Sequence, residues 1–423
     1  MPLSQINTNS LGALAITTSQ IANNAVTAAQ VANNTIGTPQ LNNLTSANVS
    51  QINTSTGTPS FTTGSNTINF GTQSIGASSA STMKNRIING AMVIDQRNAG
   101  ASLAITSTNQ YSVDRFQGNV TGGAGRYSLQ QSSTAPAGFN YSLLTTVTTS
   151  TSSFGATDGY LNTQGIEGYN IADLNWGTAN AKTVTLSFWV YSSVTGTFPI
   201  CVCNNATNYN YGATYTISAI NTWQQVSITI AGPTTGTWLS TNGAGIYLVF
   251  GLGGGSSRTL STGWQSTAGY TPSMVTGASN FISNSGATLY LTGVQLEVGS
   301  AATSFDFRHY TQELQLCQRY YYQLNGGSNY PLGSINAYSS AATMLTITFP
   351  VTMRTPPTGI TFTGNIIIYT NTTSYSPSSL AYDVAGNYSC RMNPQGSGFP
   401  TTGAFDCRFT SGGGTLGFTG AEL

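Results

Sequence analysis

The sequence predicts an all-β homotrimer with a repeat-built fibrous N-terminal stalk, a jelly-roll β-sandwich, a short helix and a small C-terminal β-domain. Three observations predict it. Apolar residues recur at an unbroken five-residue interval near the N-terminus. The remainder is a series of short alternating runs separated by glycine-rich turns, with no convincing long helix. Only 5% of the 423 residues are charged, against 48 glycines and 39% hydrophobic residues, whereas ordinary globular chains carry roughly 25% charged residues.

The stalk comes first, over residues 1–83. Ile6, Leu11, Ile16, Ile21, Val26, Val31, Ile36 and Leu41 are five apart, with Asn, Thr, Gln, Ala, Ser and Gly between them and no charge before Lys84. A five-residue step turns 140° on a helix and changes face on a strand, so neither element buries this row alone. Copies wrapped together would pool their apolar rows along a shared axis, which predicts a trimer packed on these eight residues. A ten-residue repeat, Gln20-Ile21-Ala22-Asn23-Asn24 and then Gln30-Val31-Ala32-Asn33-Asn34, supports an ordered array.

Residues 84–310 predict the sandwich. In 183–190, Val184, Leu186, Phe188 and Val190 share a face, and Val226, Ile228 and Ile230 alternate with polar residues. Residues 246–250 are continuously apolar, as in a strand covered on both sides. Residues 289–298 alternate again, and Trp189 and Trp223, in or beside strands, are expected in the core. Residues 311–329 hold a linking helix and loop: in TQELQLCQRYYY, Thr311 would cap, Glu313 suits the first turn, and Leu314, Cys317 and Tyr321 share a face. Residues 330–423 read as a β tip domain, with strand candidates at 345–349, 360–362 with 366–368, and 407–409.

Composition narrows the function. With net charge +1 and two lysines, no basic patch exists for nucleic acid. No apolar run approaches the roughly 20 residues of a membrane helix, so no membrane insertion is expected. The opening residues carry neither a basic region nor an apolar core, so no secretory signal is expected. Cys201, Cys203, Cys317, Cys390 and Cys407 form no disulfide framework and read as reduced core residues, with Cys390–Cys407 as an alternative pair.

The run LTGVQLEVGSAATSFDFRHYTQELQLCQRYY (291–321) closely resembles a segment recurring in tailed-bacteriophage tail fibre and related virion proteins. NRIINGAMVIDQRNAG (85–100) and YSVDRF (111–116) look like the start of the same module, and 183–191 with 221–224 like its middle. The resemblance spans about 85–322. It implies a sandwich akin to carbohydrate-binding modules on a trimeric virion fibre assembled in the host cytoplasm. Residues 1–83 would then dock to a phage tail or baseplate protein, and a host surface glycan would be the ligand.

No catalytic motif is present, no cofactor or metal is implied, and no enzyme is expected. His309 is the single histidine. Asp158, Glu167 and Asp173 are the nearest thing to a carboxylate cluster, and turn or solvated roles suit them equally. Asp95, Asp114, Glu297 and Asp306 are the acids available for a calcium site, but Arg97, Arg115 and Arg308 nearby favour ion pairs. Aromatics are the better lead, because sugar C–H faces stack on Trp and Tyr. The candidates are Tyr209, Tyr211 and Tyr215, on one side of an extended segment, with Trp238, Trp264 and Tyr270 in loops. The expected activity is non-catalytic attachment to a glycan. The alternatives are a purely structural virion fibre or adaptor, and a surface-polysaccharide depolymerase.

Overall fold

The computed structural model describes residues 83–423 apart from 338, 342, 371 and 402. The chain divides into two units, Met1–Ala77 and Ser78–Leu423, and every described residue belongs to the second. The periodic residues Ile6 to Leu41, and with them the predicted stalk, trimer axis and docking segment, lie outside the described residues.

Alternating runs produce the strands. β1 (Leu103–Ile105), β2 (Gln110–Tyr111), β3 (Gln117–Thr121), β4 (Arg126–Ser132), β5 (Ser142–Thr149) and β6 (Gly159–Glu167) come first. They are followed by β7 (Val184–Ser192), β8 (Gly196–Cys203), β9 (Tyr209–Ile217), β10 (Gln224–Ile230) and β11 (Ala244–Gly254). Short β12 (Thr259–Leu260), β13 (Gly263–Ser266) and β14 (Met274–Val275) precede β15 (Thr288–Val298). Two sheets face each other, ordered β1-β4-β5-β15-β7-β10 and β13-β9-β8-β11-β6-β3-β2. This is the all-β sandwich that the alternation predicts.

Val184, Leu186, Phe188 and Val190 of β7 point inward, where Phe188 meets Phe250 edge-on at 5.2 Å. In β15 the inward set is Leu289 and Leu291, then Val294 and Leu296, so the alternation changes phase mid-strand. A β-bulge causes the change: the register with β7 shifts between Thr292 and Gln295, and Gly293 takes φ +60°. The same parity corrects the placement of two tryptophans. Trp189 follows inward Phe188 and so faces outward, half-buried, and Trp223 packs outside against Tyr191 and Tyr290.

Helix α1 (Tyr310–Gln318) begins one residue before Thr311, and His309 occupies the cap position without a side-chain bond, which corrects the predicted cap. Then follow β16 (Tyr322–Gly326), β17 (Pro331–Ala337), β18 (Thr343–Thr348), β19 (Gly359–Tyr369), β20 (Ser374–Tyr375), β21 (Ser379–Ala385), β22 (Ser389–Gln395) and β23 (Ala404–Thr419). They form one further sheet, with Phe349, Phe409 and Phe418 among its core. All five cysteines are free and buried, Cys390 and Cys407 included.

The two β-bodies meet at a seam of charge. Arg319 grips Glu167, the last residue of β6, through Nε at 2.8 Å and Nη2, while the Tyr320 hydroxyl donates to the same carboxylate. Glu422 receives Arg97 at 2.8 Å and also pairs with Arg115, whose guanidinium lies 3.6 Å from the Tyr320 ring centre. Arg86 forks onto Asp173 at 2.7 and 2.8 Å. Arg354 donates all three of its nitrogens to the carbonyls of Ala421, Asn242 and Glu422.

Buried carboxylates here are held by opposing effects. Burial pushes the Glu167 carboxyl up, but bonds from Arg319 and Tyr320 outweigh it and hold it below the ordinary value. Removing one partner of a buried pair leaves the other desolvated and unmatched. Arg319→Ala is therefore expected to cost about 3 kcal/mol in chemical denaturation. Asp114 goes the other way: burial raises it to about 7, against the pull of Arg97 and Gln96. An acid with a raised folded pKa binds its proton more tightly when folded, so its contribution is greatest at low pH and declines as pH rises from 3.8 toward 7. Melting scans from pH 5 to 8 should show that decline in the wild type and a shallower one in Asp114→Asn, which resembles the protonated form.

Candidate functional site

Strand period decides what each face of the seven-stranded sheet carries. Inward residues of β3, β6 and β11, such as Val120, Tyr160 and Leu248, enter the core. The outward residues divide into two zones. Over β8 and β11, Cys201, Cys203 and Val249 are sealed by Leu260 and Val275, from the parallel pair β12 and β14. Beyond that cap, the outward residues of β3 and β6 line an open groove of about 450 Å³.

Its floor is Gln117 and Asn119 of β3, paired across the ladder with Thr163 and Leu161 of β6. Thr108 and Asn109 form one wall, and Arg258, Tyr270 and Thr271 the other. Tyr247 and Leu423 also line it. The second wall is fixed by bonds that join two loops: Thr207 donates to the Gly269 carbonyl at 2.8 Å, and Thr267 to the Thr207 carbonyl at 2.9 Å.

The floor keeps unused hydrogen-bonding capacity. Gln117 is 2% exposed, and its Oε1 has no partner among the described residues. Asn119 accepts from the Asn109 backbone N–H at 2.7 Å through Oδ1, which leaves its amide N–H groups for a guest. An unmatched buried polar atom is costly, and a hydroxyl-bearing ligand would satisfy it. Burial raises Tyr247 above the ordinary tyrosine value and lowers Arg258 below its own. The arginine remains a cation at any physiological pH.

No carboxylate, imidazole or thiol side chain is among the described residues lining the groove, and glycoside hydrolysis ordinarily uses two carboxylates. The acids weighed from sequence are scattered. Asp158 and Glu167 flank and end β6, roughly 30 Å apart by strand rise, and Asp158 accepts from the Gly155 N–H at 2.8 Å. Glu167 serves the charged seam, and Asp173 pairs with Arg86 within the sandwich. Asp95 holds a turn through the N–H groups of Asn98 and Gly100, and Asp114 pairs with Arg97 at 3.2 Å. Arg308 pairs with Glu313 at 3.3 Å.

The six aromatic candidates separate into three places. Tyr270, 41% exposed, lies in the groove. Tyr209, Tyr211, Trp238 and Trp264 come together elsewhere, joined by Trp176, which the sequence reading passed over. Tyr209 stacks on Trp264 at 5.6 Å and 5°, and Trp176 meets Trp238 and Trp264 edge-on at 4.8 and 5.5 Å. All three indole N–H groups donate to backbone carbonyls, those of Lys182, Thr235 and Ala231. The rings face one another, so this cluster closes an edge of the sandwich.

Tyr215 is a correction. It shares the inward face with Tyr209 and Tyr211, but deeper, 5% exposed against Phe188 and Phe198. Alternation put the three tyrosines on one side correctly, and that side is the core. Trp264→Ala, which removes a ring from this edge cluster, should cost about 3 kcal/mol in thermal or chemical denaturation. Tyr270→Ala should leave stability within about 0.5 kcal/mol of wild type.

No protein-family model matches the chain, and comparison with curated proteins returned no significant match. Solved structures with similarity include the enzymatically active domain of tailspike protein 4 of bacteriophage CBA120, at 14% identity and TM-score 0.26. That alignment covers 51% of this chain and 21% of the tailspike chain. A CBM4 carbohydrate-binding module aligns at 15% identity over 50% of this chain and 98% of its own, with TM-score 0.25. The family 11 module of Clostridium thermocellum, in complex with a β-1,3-1,4-mixed-linked tetrasaccharide, aligns at 10% identity over 48% and 98%, with TM-score 0.25.

Proposed function

We propose that the protein is a receptor-binding fibre protein of a tailed bacteriophage, a homotrimer that attaches the virion to a host surface glycan without catalysis. The observation that carries the glycan reading is the groove on the outer face of the seven-stranded sheet. It places the buried, unpartnered Oε1 of Gln117 and the free amide N–H groups of Asn119 in one groove with the exposed ring of Tyr270. Amides hydrogen-bond sugar hydroxyls and the ring stacks on a sugar face. The fibre and virion reading is supported by the resemblance of residues 85–322 to tail fibre segments and by the five-residue rows of residues 6–41, through which the chain would trimerise and dock to the tail or baseplate. Three modest sites on one fibre bind a repetitive polymer through avidity.

The test uses the full-length chain on an array of bacterial surface polysaccharides, with mass determined by light scattering and reducing-sugar release assayed in parallel. The expected result is a trimer that binds saturably, releases no reducing ends, and loses about tenfold or more in affinity on Tyr270→Ala with an unchanged melting temperature. A folded protein that binds nothing on the array leaves the structural-fibre reading in front. Release of reducing ends overturns the non-catalytic one.

A further inference from the structure

We propose that the groove is selective for an acidic polysaccharide, and that Arg258 receives the carboxylate of a uronic acid unit. The inference rests on the glycan reading above and names the ligand class of the same groove. Arg258 is the only charged side chain among the described residues that line it.

Most other arginines of the second unit have an acid: Arg86, Arg97, Arg115, Arg308, Arg319, Arg391 and Arg408 each pair with a carboxylate. Arg354 has none but gives all three nitrogens to carbonyls. Arg126 likewise pairs with no carboxylate among the described residues and gives Nη1 to the carbonyls of Gly123 and Gly125, but it does not line the groove, and Arg258 does. Arg258 is 8% exposed, it pairs with no carboxylate among the described residues, and only two of its nitrogens are engaged. Nε donates to the Thr157 carbonyl at 2.6 Å and Nη1 to the Thr271 carbonyl at 2.8 Å. A guanidinium has five N–H donors, so the Nη2 pair and one Nη1 donor remain.

The backbone has made room for this side chain. A Cβ on Gly159 would stand 2.6 Å from the Arg258 Cδ and 2.8 Å from its Nε, so the arginine lies flat over the first residue of β6 because that residue is glycine. Two carbonyl anchors then aim the free edge of the fork, and a fixed fork matches a carboxylate better than a mobile ammonium would. The Tyr270 ring centre is 5.6 Å from the guanidinium carbon. A sugar stacked on that ring presents a C5 carboxylate within reach of the cation, while its hydroxyls face Gln117 and Asn119. Asp158 offsets part of the charge of this buried cation without bridging to it, and an anionic guest would offset the rest.

The experiment titrates the full-length protein with polygalacturonate, alginate and hyaluronate, each beside its carboxyl-reduced neutral form, and with neutral mixed-linkage glucan and galactan. The expected result is binding to at least one acidic polymer, about tenfold or greater weakening when its carboxylates are reduced, and the same loss in an Arg258→Gln variant that still unfolds in one cooperative transition. Arg258→Lys should recover only part of it, because an ammonium cannot fork. Wild-type affinity should also fall with added salt, a readout independent of any variant. Equal binding of native and reduced forms, or binding of neutral glycans alone, overturns the acidic selectivity and leaves glycan binding standing. Binding of none of them by folded protein overturns both.

Discussion

The tertiary structure depends on a seam of arginine forks. The chain has 12 basic and 11 acidic residues, and seven of them pair where the sandwich, α1 and the C-terminal residues come together: Arg97 and Arg115 with Glu422, Arg308 with Glu313, and Arg319 with Glu167. A buried guanidinium tolerates few arrangements, because each N–H needs an acceptor and the charge needs a partner. That intolerance makes the seam specific. Glu422 is pinned between Arg97 and Arg115, and the carbonyls of Ala421 and Glu422 are held by Arg354. As a result Leu423 comes to lie at the groove and accepts from the Tyr111 hydroxyl at 2.7 Å. The fold thus couples a distant part of the chain to the edge of the candidate site.

The seven-stranded sheet serves two purposes because side chains alternate across it. Its inward face supplies half of the sandwich core, and its edge is closed by interlocked tryptophans and tyrosines. Its outward face is capped over β8 and part of β11 and open over β3 and β6. The open part is polar without being charged, apart from Arg258. A floor of buried amides with one fixed cation suits a hydroxyl-rich ligand bearing a single acid group per unit. It does not assemble the paired carboxylates that glycoside cleavage ordinarily uses.

Strand existence was legible in the second half of the sandwich, whereas β1 to β6, at 103–167, were not read from the sequence. The runs at 183–190, 226–230 and 246–250 correspond to β7, β10 and β11, and the last is covered on both faces as its continuous apolarity implied. The bulge at Gly293 was not legible, since a phase change of one residue looks the same in sequence as a weaker alternation. The outward placement of Trp189 was available from the parity of Phe188, but its size suggested burial. Of the aromatic candidates, only Tyr270 lines the groove. Gln117, Asn119 and Arg258 were missed because no local signal joins them: β3, β6 and the 258–271 segment become neighbours only when the sheet closes.

The sequence by itself determined the class of structure, because period-two patterning, scarce charge and abundant turn residues leave a compact chain few options besides layered antiparallel sheets. It also determined that Tyr209, Tyr211 and Tyr215 share a side, since alternation is local geometry. Only the tertiary structure decided that this side is the core, that many of the charges gather in one seam, and that an arginine bridged to no carboxylate among the described residues ends up beside a tyrosine ring. Those outcomes are set by which faces of distant strands meet, and a residue's own neighbours in the chain carry no record of that.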